Sequence, residues 1–126
     1  MKLRILYIED EPLFAEIFKQ SLQSHNVEIN IAKNGTEGAR LYEKLTPPLV
    51  FLDIRMPGVS GYVALRRIKK FASDNNLNVK VIMCSSNKNK EDIADAINYG
   101  ADDFLGKPYN TETLIEKIKK HFPDFT

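Results

Sequence analysis

Apolar and polar positions alternate in blocks along the 126-residue chain. Runs rich in Ile, Val and Leu occupy 3–8, 27–32, 49–52, 79–85 and, briefly, 103–105, and each has strand length. Between them the apolar residues fall at helical spacing: Leu13, Ile17, Phe18, Ser21 and Leu22; then Ala39, Leu41, Tyr42 and Leu45; then Val63, Ala64, Leu65, Ile68 and Phe71. A fourth set is Ile93, Ala94, Ala96 and Ile97, and a fifth is Leu114, Ile115, Ile118 and Phe122. Pro12 suits a first helical turn, where its missing N–H is no loss. Thr36, Ser60 and Asn110 or Thr111 are the expected N-caps, Pro47-Pro48 stops the second helix and Gly100 ends the fourth. The stretch 73–76 reads as a polar loop.

Five strands alternating with five helices predict an α/β domain with a parallel sheet. The runs at 49–52 and 81–84 have no polar alternation, which predicts strands covered on both faces. Right-handed crossovers are expected, with ligands gathering at the carboxyl ends of the strands.

Bulk composition narrows the class. Hydrophobic residues make up 43%, as in an ordinary globular domain, and 18 basic against 17 acidic side chains give a net charge of +1. That balance supplies no general attraction to nucleic acid or to an anionic membrane. The lone Cys84 lies in an apolar run, so it reads as a core residue, and one cysteine excludes an internal disulfide. No run approaches the ~20 apolar residues of a membrane span, and Glu9-Asp10-Glu11 cuts off the opening apolar stretch too early for a signal peptide. The expected location is cytoplasmic. His25 and His121 are expected at the surface. Arg66, Arg67, Lys69 and Lys70 are expected to form a solvated helix face, and Phe14, Phe18, Tyr42, Phe71 and Phe122 to be core or half-buried.

The conspicuous polar residues all fall at predicted strand ends. Glu9 and Asp10 follow the first strand, Asp53 the third, Ser85 and Ser86 end the fourth, and Lys107-Pro108 follow the fifth. Clustered carboxylates repel one another, and a fold that gathers them calls for a divalent cation or a phosphoryl group. Asp10 and Asp53 offer hard oxygen ligands of the kind Mg²⁺ accepts, with a backbone carbonyl and water completing its shell, and Glu9 can bind through water. Lys107 is a compact cation able to pair with a carboxylate or a phosphoryl oxygen, and Ser85 offers a hydroxyl to the same oxygen. The tract 56–61 is a sharp turn into a helix, able to aim backbone N–H groups at an anion.

These motifs resemble the response-regulator receiver domain of two-component signalling. The likeness is carried by Tyr7-Ile8-Glu9-Asp10-Glu11, by the segment 52–61 beginning Leu52-Asp53-Ile54-Arg55-Met56-Pro57-Gly58, by Val81 to Ser86, and by Gly100 to Pro108. It implies one receiver domain over 1–126, with the flavodoxin-like doubly wound fold: a five-stranded parallel sheet of order 2-1-3-4-5 and five helices. The start at Met1 favours an N-terminal or complete unit.

The resemblance also implies roles. Asp53 would be the phosphoacceptor; Asp10, Asp53 and the Arg55 backbone carbonyl would hold Mg²⁺ (or Mn²⁺), with Glu9 completing the pocket. Lys107 would bind a phosphoryl oxygen. Ser85 and Phe104 would form the coupled hydroxyl-and-aromatic switch, with Ser85 standing for the frequent threonine and Phe104 for the frequent tyrosine. Arg55 and Asn87 fall where the family tunes phosphoryl lifetime. The implied function is a phosphorylation-activated switch, not an enzyme acting on other molecules, that catalyses its own phosphorylation and slow dephosphorylation. Its implied partners are a sensor histidine kinase or histidine phosphotransfer protein and a downstream protein target or fused output domain, met through the fourth helix, fifth strand and fifth helix. Exposed candidates there are Lys90, Asp95, Tyr99, Tyr109 and Lys119. No membrane contact or direct nucleic-acid binding is implied, and the expected state is a monomer or a phosphorylation-favoured dimer.

Three rivals fit less well. An aspartate-nucleophile phosphohydrolase would want a second acid two residues after the nucleophile, where this chain has Arg55. A flavodoxin-like cofactor binder would need a phosphate cradle where Glu9, Asp10 and Glu11 repel anions. A docking module of the same fold that works without phosphorylation would not need Asp10, Asp53, Ser85 and Lys107 together.

Overall fold

The structure, a computed structural model, describes residues 2–126 apart from Pro57, Val59, Asn87, Lys88 and Asn89, and leaves aside the side chains of Lys90, Glu91 and Asp92. The expected roles of Asn87 and Lys90, and part of the 56–61 tract, therefore lie outside the described residues. The strands are β1 (Leu3–Ile8), β2 (Val27–Ala32), β3 (Leu49–Asp53), β4 (Lys80–Ser85) and β5 (Asp103–Gly106). The helices are α1 (Pro12–Ser21), α2 (Gly35–Leu45), α3 (Gly61–Asp74), α4 (Lys90–Asn98) and α5 (Thr111–His121). All pairings are parallel, in the order β2-β1-β3-β4-β5. This is the doubly wound, flavodoxin-like arrangement expected from the sequence.

Two-residue alternation along the strands sorts the core onto two faces. Leu6, Ile8, Val50, Leu52, Val81 and Met83 pack with Tyr42, Leu65 and Ile68 under α2 and α3. Ile5, Tyr7, Phe51, Ile82 and Leu105 pack with Phe18, Leu22, Leu114 and Ile118 under α1 and α5. Every residue of β3 is buried, as its unbroken apolar run predicts.

Several local expectations shift. The cap of α2 is Asn34, not Thr36: its Oδ1 accepts from the Glu37 N–H at 2.8 Å, and Glu37 Oε2 accepts from the Lys33 N–H at 3.5 Å. The Asn34 side chain thus satisfies a first-turn donor, as an N-cap does, from a position that Thr36, already inside the first turn, does not hold. Ser60 holds the cap position of α3 without a side-chain cap bond, whereas Asn110 caps α5 by accepting from the Thr113 N–H at 2.8 Å. Thr46, in the left-handed region at φ 46°, closes α2 ahead of Pro47. Ser73 and Asp74 belong to α3 rather than to a loop. Leu13, despite its apolar character, is 68% exposed at the start of α1.

Candidate functional site

The loop after each strand is short, so a residue at a strand's carboxyl end inherits the rigidity of the sheet. Asp53 is the last residue of β3, in register with Cys84 of β4, and Ser85 is in register with Gly106 of β5. Glu9 follows β1 directly and is tied back by its own N–H to the Ala32 carbonyl of β2 at 2.9 Å. Lys107 follows β5, with its N–H donating to the Ser85 carbonyl at 2.8 Å, and the Lys107–Pro108 peptide is cis. Alternation puts Glu9 with Tyr7, Asp53 with Phe51, and Lys107 with Leu105 on the α1–α5 side, and Ser85 with Met83 on the other.

These placements converge. The Lys107 ammonium donates to Glu9 Oε1 at 2.6 Å and to Asp53 Oδ2 at 3.1 Å. All three side chains are closed to solvent, at 3% exposure for Lys107, 0% for Glu9 and 6% for Asp53. Carboxylate oxygens of Glu9, Asp10 and Asp53 lie within 4.8 Å of one another. The Arg55 N–H donates to Asp53 Oδ1 at 3.2 Å, fixing the carboxylate's other oxygen. A groove of about 290 Å³ opens beside the cluster between Glu9, Asp10, Pro12, Ala15 and Lys33. Ser85 and Phe104 are both buried, Phe104 against the α3–α4 side of the core.

Charge explains the arrangement. Three carboxylates face one ammonium, so the cluster carries excess negative charge, with Glu9 and Asp53 closed to solvent and Asp10 at its open edge. Burial pushes the Glu9 carboxyl up, with Asp53 adding to the rise and Lys107 opposing it. Burial and the neighbouring Glu9 push Asp10 up as well. For Lys107 burial works toward neutralisation, but hydrogen bonds to Glu9 and Asp53 outweigh it and hold the ammonium above its ordinary value.

Comparison with known proteins agrees with this geometry. Residues 5–119 match the family described as the response regulator receiver domain. The chain is 33% identical over 118 residues to the chemotaxis protein CheY of Bacillus subtilis, covering 93% of this chain and 95% of that one. It superposes with a TM-score of 0.86 on a CheY-like receiver domain protein from Methanospirillum hungatei, at 29% identity, with 98% of this chain and 96% of that one covered. It also superposes, at a TM-score of 0.88 and 27% identity, on the receiver domain of Saccharomyces cerevisiae Ssk1 in a co-crystal with the histidine phosphotransfer protein Ypd1, covering 94% of this chain and 88% of that one. The chain belongs to the response-regulator receiver family.

As a receiver of two-component systems, the protein carries an acidic cluster whose hard oxygen donors fit Mg²⁺. Among the described residues no helix is long and apolar enough to cross a membrane.

Three features of this receiver's site escaped sequence reasoning. The Phe14 ring lies 4.0 Å from the Lys107 ammonium, a cation–π contact that a half-buried helix aromatic does not announce. Tyr7, one of the apolar residues of β1, reaches the site through its hydroxyl, which donates to Glu9 Oε1 at 3.1 Å. Gly61 lies so close to the backbone of Asp53 and Ile54 that a Cβ there would meet the Asp53 carbonyl oxygen. Its N–H donates to the Ile54 carbonyl at 3.0 Å, so this one N–H of the 56–61 tract is spent on closing the β3–α3 loop.

Elsewhere the expected surface residues divide. Asp95, Tyr99 and Lys119 are exposed, but Tyr109 is half-buried, with its hydroxyl 3.4 Å from that of Tyr7. His121 is no surface residue: its Nε2 lies 2.9 Å from Asp103 Oδ2, beside Lys117 and Lys120 on the same carboxylate. His25 is half-buried and stacks on Phe125 at 5.1 Å. Lys69 leaves the basic face to pair with Asp102 at 2.6 Å, and Arg67 pairs with Glu43 at 2.8 Å.

Proposed function

We propose that this receiver is a phosphorylation-operated switch in which Asp53 takes a phosphoryl group from the phosphohistidine of a sensor histidine kinase or a histidine phosphotransfer protein. One observation carries the reading: a buried lysine ammonium bridges Asp53 and a second carboxylate, Glu9, beside a third, Asp10. A cluster of that composition is costly when idle and becomes favourable when a phosphoryl group and a cation occupy it.

In the reaction an Asp53 carboxylate oxygen attacks phosphorus, the P–N bond breaks, and its electron pair stays on the imidazole. Lys107 moves from Glu9 to a phosphoryl oxygen, so its charge follows the phosphoryl group. The Arg55 N–H holds the other Asp53 oxygen and so orients the attacking one. Asp10 and Asp53, with the Arg55 backbone carbonyl and with Glu9 acting through water, would hold Mg²⁺ (or Mn²⁺). The bound metal supplies neutralisation of charge on the phosphoryl oxygens. Hydrolysis empties the site: water attacks phosphorus, the bond to the Asp53 oxygen breaks with its electron pair staying on the carboxylate, and inorganic phosphate leaves, so the protein catalyses its own slow dephosphorylation. Arg55 and Asn87 would set how long the phosphoryl group lasts.

Ser85 would donate its hydroxyl to the phosphoryl group, and Phe104, packed on the α3–α4 side, would change rotamer with it. Phosphorylation then favours one of two conformations and is read at α4, β5 and α5 by a downstream protein target or a fused output domain. The protein would work in the cytoplasm, as a monomer or a phosphorylation-favoured dimer, without direct contact with nucleic acid.

Incubation with Mg²⁺ and phosphoramidate tests the reading. The protein should gain the mass of one phosphoryl group in a hydroxylamine-sensitive bond, and Asp53→Ala should gain none. Label persisting in that variant overturns the assignment. An unlabelled wild-type protein that still binds its partner would favour the phosphorylation-independent docking module instead.

A further inference from the structure

The Glu9 side chain is 0% exposed, so its oxygens depend on donors from the protein. Lys107 supplies one to Oε1 at 2.6 Å, and the Glu11 N–H supplies one to Oε2 at 3.4 Å. The Tyr7 hydroxyl adds another to the same Oε1, at 3.1 Å. The Tyr109 hydroxyl donates in turn to the Tyr7 oxygen, at 3.4 Å. Two phenols thus donate in series toward Glu9, from half-buried Tyr109 just after β5 to fully buried Tyr7 in β1. Packing fixes the inner one: the Tyr7 ring lies 4.4 Å from Phe18 and 6.3 Å, edge-on, from Phe51. An ordinary phenol pKa of about 10 leaves both hydroxyls protonated as donors at neutral pH.

We propose that Tyr7 and Tyr109 are positioning residues that keep Glu9 satisfied while Lys107 leaves it for a phosphoryl group on Asp53. The inference rests on the phosphoacceptor reading above. Lys107 is shared unequally, 2.6 Å from Glu9 and 3.1 Å from Asp53. Its departure takes the nearest charged partner from a solvent-closed carboxylate, and the loss of that pairing opposes the move. The Tyr7 hydroxyl stays on Oε1 throughout. Tyr109 polarises that hydroxyl and strengthens its bond to Glu9. Without the phenols, Glu9 holds Lys107 harder and phosphoryl transfer slows. The signal for this device is hard to find in sequence, because Tyr7 reads as one more apolar strand residue and Tyr109 as an exposed loop aromatic.

Two measurements on Tyr7→Phe and Tyr109→Phe test the relay: the phosphoramidate labelling rate with Mg²⁺, and the ¹⁵N resonance of the Lys107 ammonium in metal-free protein, assigned by its loss in Lys107→Met. Tyr7→Phe should label about tenfold slower at saturating phosphoramidate, the scale of a lost hydrogen bond to a charged group. Its half-saturating concentration should not change, and its Lys107 resonance should be displaced. Tyr109→Phe, at the half-buried end, should move both readouts the same way by about threefold in rate, and it carries the test if Tyr7→Phe does not fold. In a Glu9→Gln background Tyr7→Phe should add little further slowing. Wild-type labelling rates in both variants overturn the proposal, as does slowing with an unmoved Lys107 resonance or undiminished slowing in the Glu9→Gln background. Failure of the wild-type protein to label at all sinks the phosphoacceptor reading instead, and the metal-free resonance still decides whether the phenols act on Lys107.

Discussion

Lys107 and Glu9 stand 98 residues apart in the chain, and their ammonium and carboxylate meet at 2.6 Å in a site closed to solvent. The same ammonium reaches Asp53 across 54 residues of chain. One cation therefore ties the ends of β1, β3 and β5 together, and its loss leaves two buried carboxylates facing each other.

Lys107→Met should lower the stability of the metal-free protein by about 3 kcal/mol, the scale of breaking a buried ion pair from one side. Urea unfolding in the presence of a chelator measures it. Millimolar Mg²⁺ should restore more stability to the variant than it adds to the wild type. An equal gain in both would count against a shared acidic pocket.

Mg²⁺ should raise the melting temperature of the wild-type protein, because it binds the folded cluster and not the unfolded chain; at a hundredfold excess over its dissociation constant the gain is about 2.7 kcal/mol. Asp10→Asn should weaken that response and yet stabilise the metal-free fold, since burial and the adjacent Glu9 already disfavour the Asp10 charge. Thermal melts with and without metal check both arms. A less stable metal-free variant would contradict the repulsion argument.

Gly61→Ala should destabilise the fold by about 2–3 kcal/mol through overpacking. The Cβ would meet the Asp53 carbonyl oxygen and lie 2.8 Å from the Ile54 Cα, both backbone atoms that cannot swing aside. Because that backbone carries the phosphoacceptor, labelling should slow as well. Denaturation and labelling rate together check it, and wild-type values in both would refute the close approach.

Asp103 sits at the opposite end of the sheet and pins α5 through Lys117 at 2.8 Å, Lys120 at 3.2 Å and His121 at 2.9 Å. Burial works against its charge, but hydrogen bonds from Lys117, His121, the Phe104 N–H and Lys120 prevail and hold the carboxyl well below the usual range. With the folded value depressed, the unfolded chain binds more protons through that window. The contribution is therefore fully present above the ordinary carboxylate pKa of about 3.9 and lost as pH falls below it. Asp103→Asn should be less stable than wild type by about 2 kcal/mol near neutrality, and the gap should close as the pH falls. A gap constant from neutrality to acid would remove the ion cluster as its cause.

The sequence by itself determined the order and kind of the elements, because apolar spacing is a local property: period two for strands, three to four for helices, with Asn110, Pro47 and Gly100 marking helix boundaries. It also exposed Glu9, Asp10, Asp53 and Lys107, since charged residues directly after apolar runs stand out by type. Capping was read less well. Asn34 and Thr36 are both plausible caps, and only the Glu37 contact separates them.

The tertiary structure alone decided which of those charges touch, that Tyr7 and Phe14 turn a hydroxyl and a ring face to the cluster, and that Asp103 gathers two lysines and a histidine beneath α5. The reason is physical. Spacing along one segment sets that segment's conformation and buried face, whereas a contact between β1 and β5 depends on the register of every strand between them and on side-chain reach at the sheet's ends, neither of which is written in any single stretch of chain.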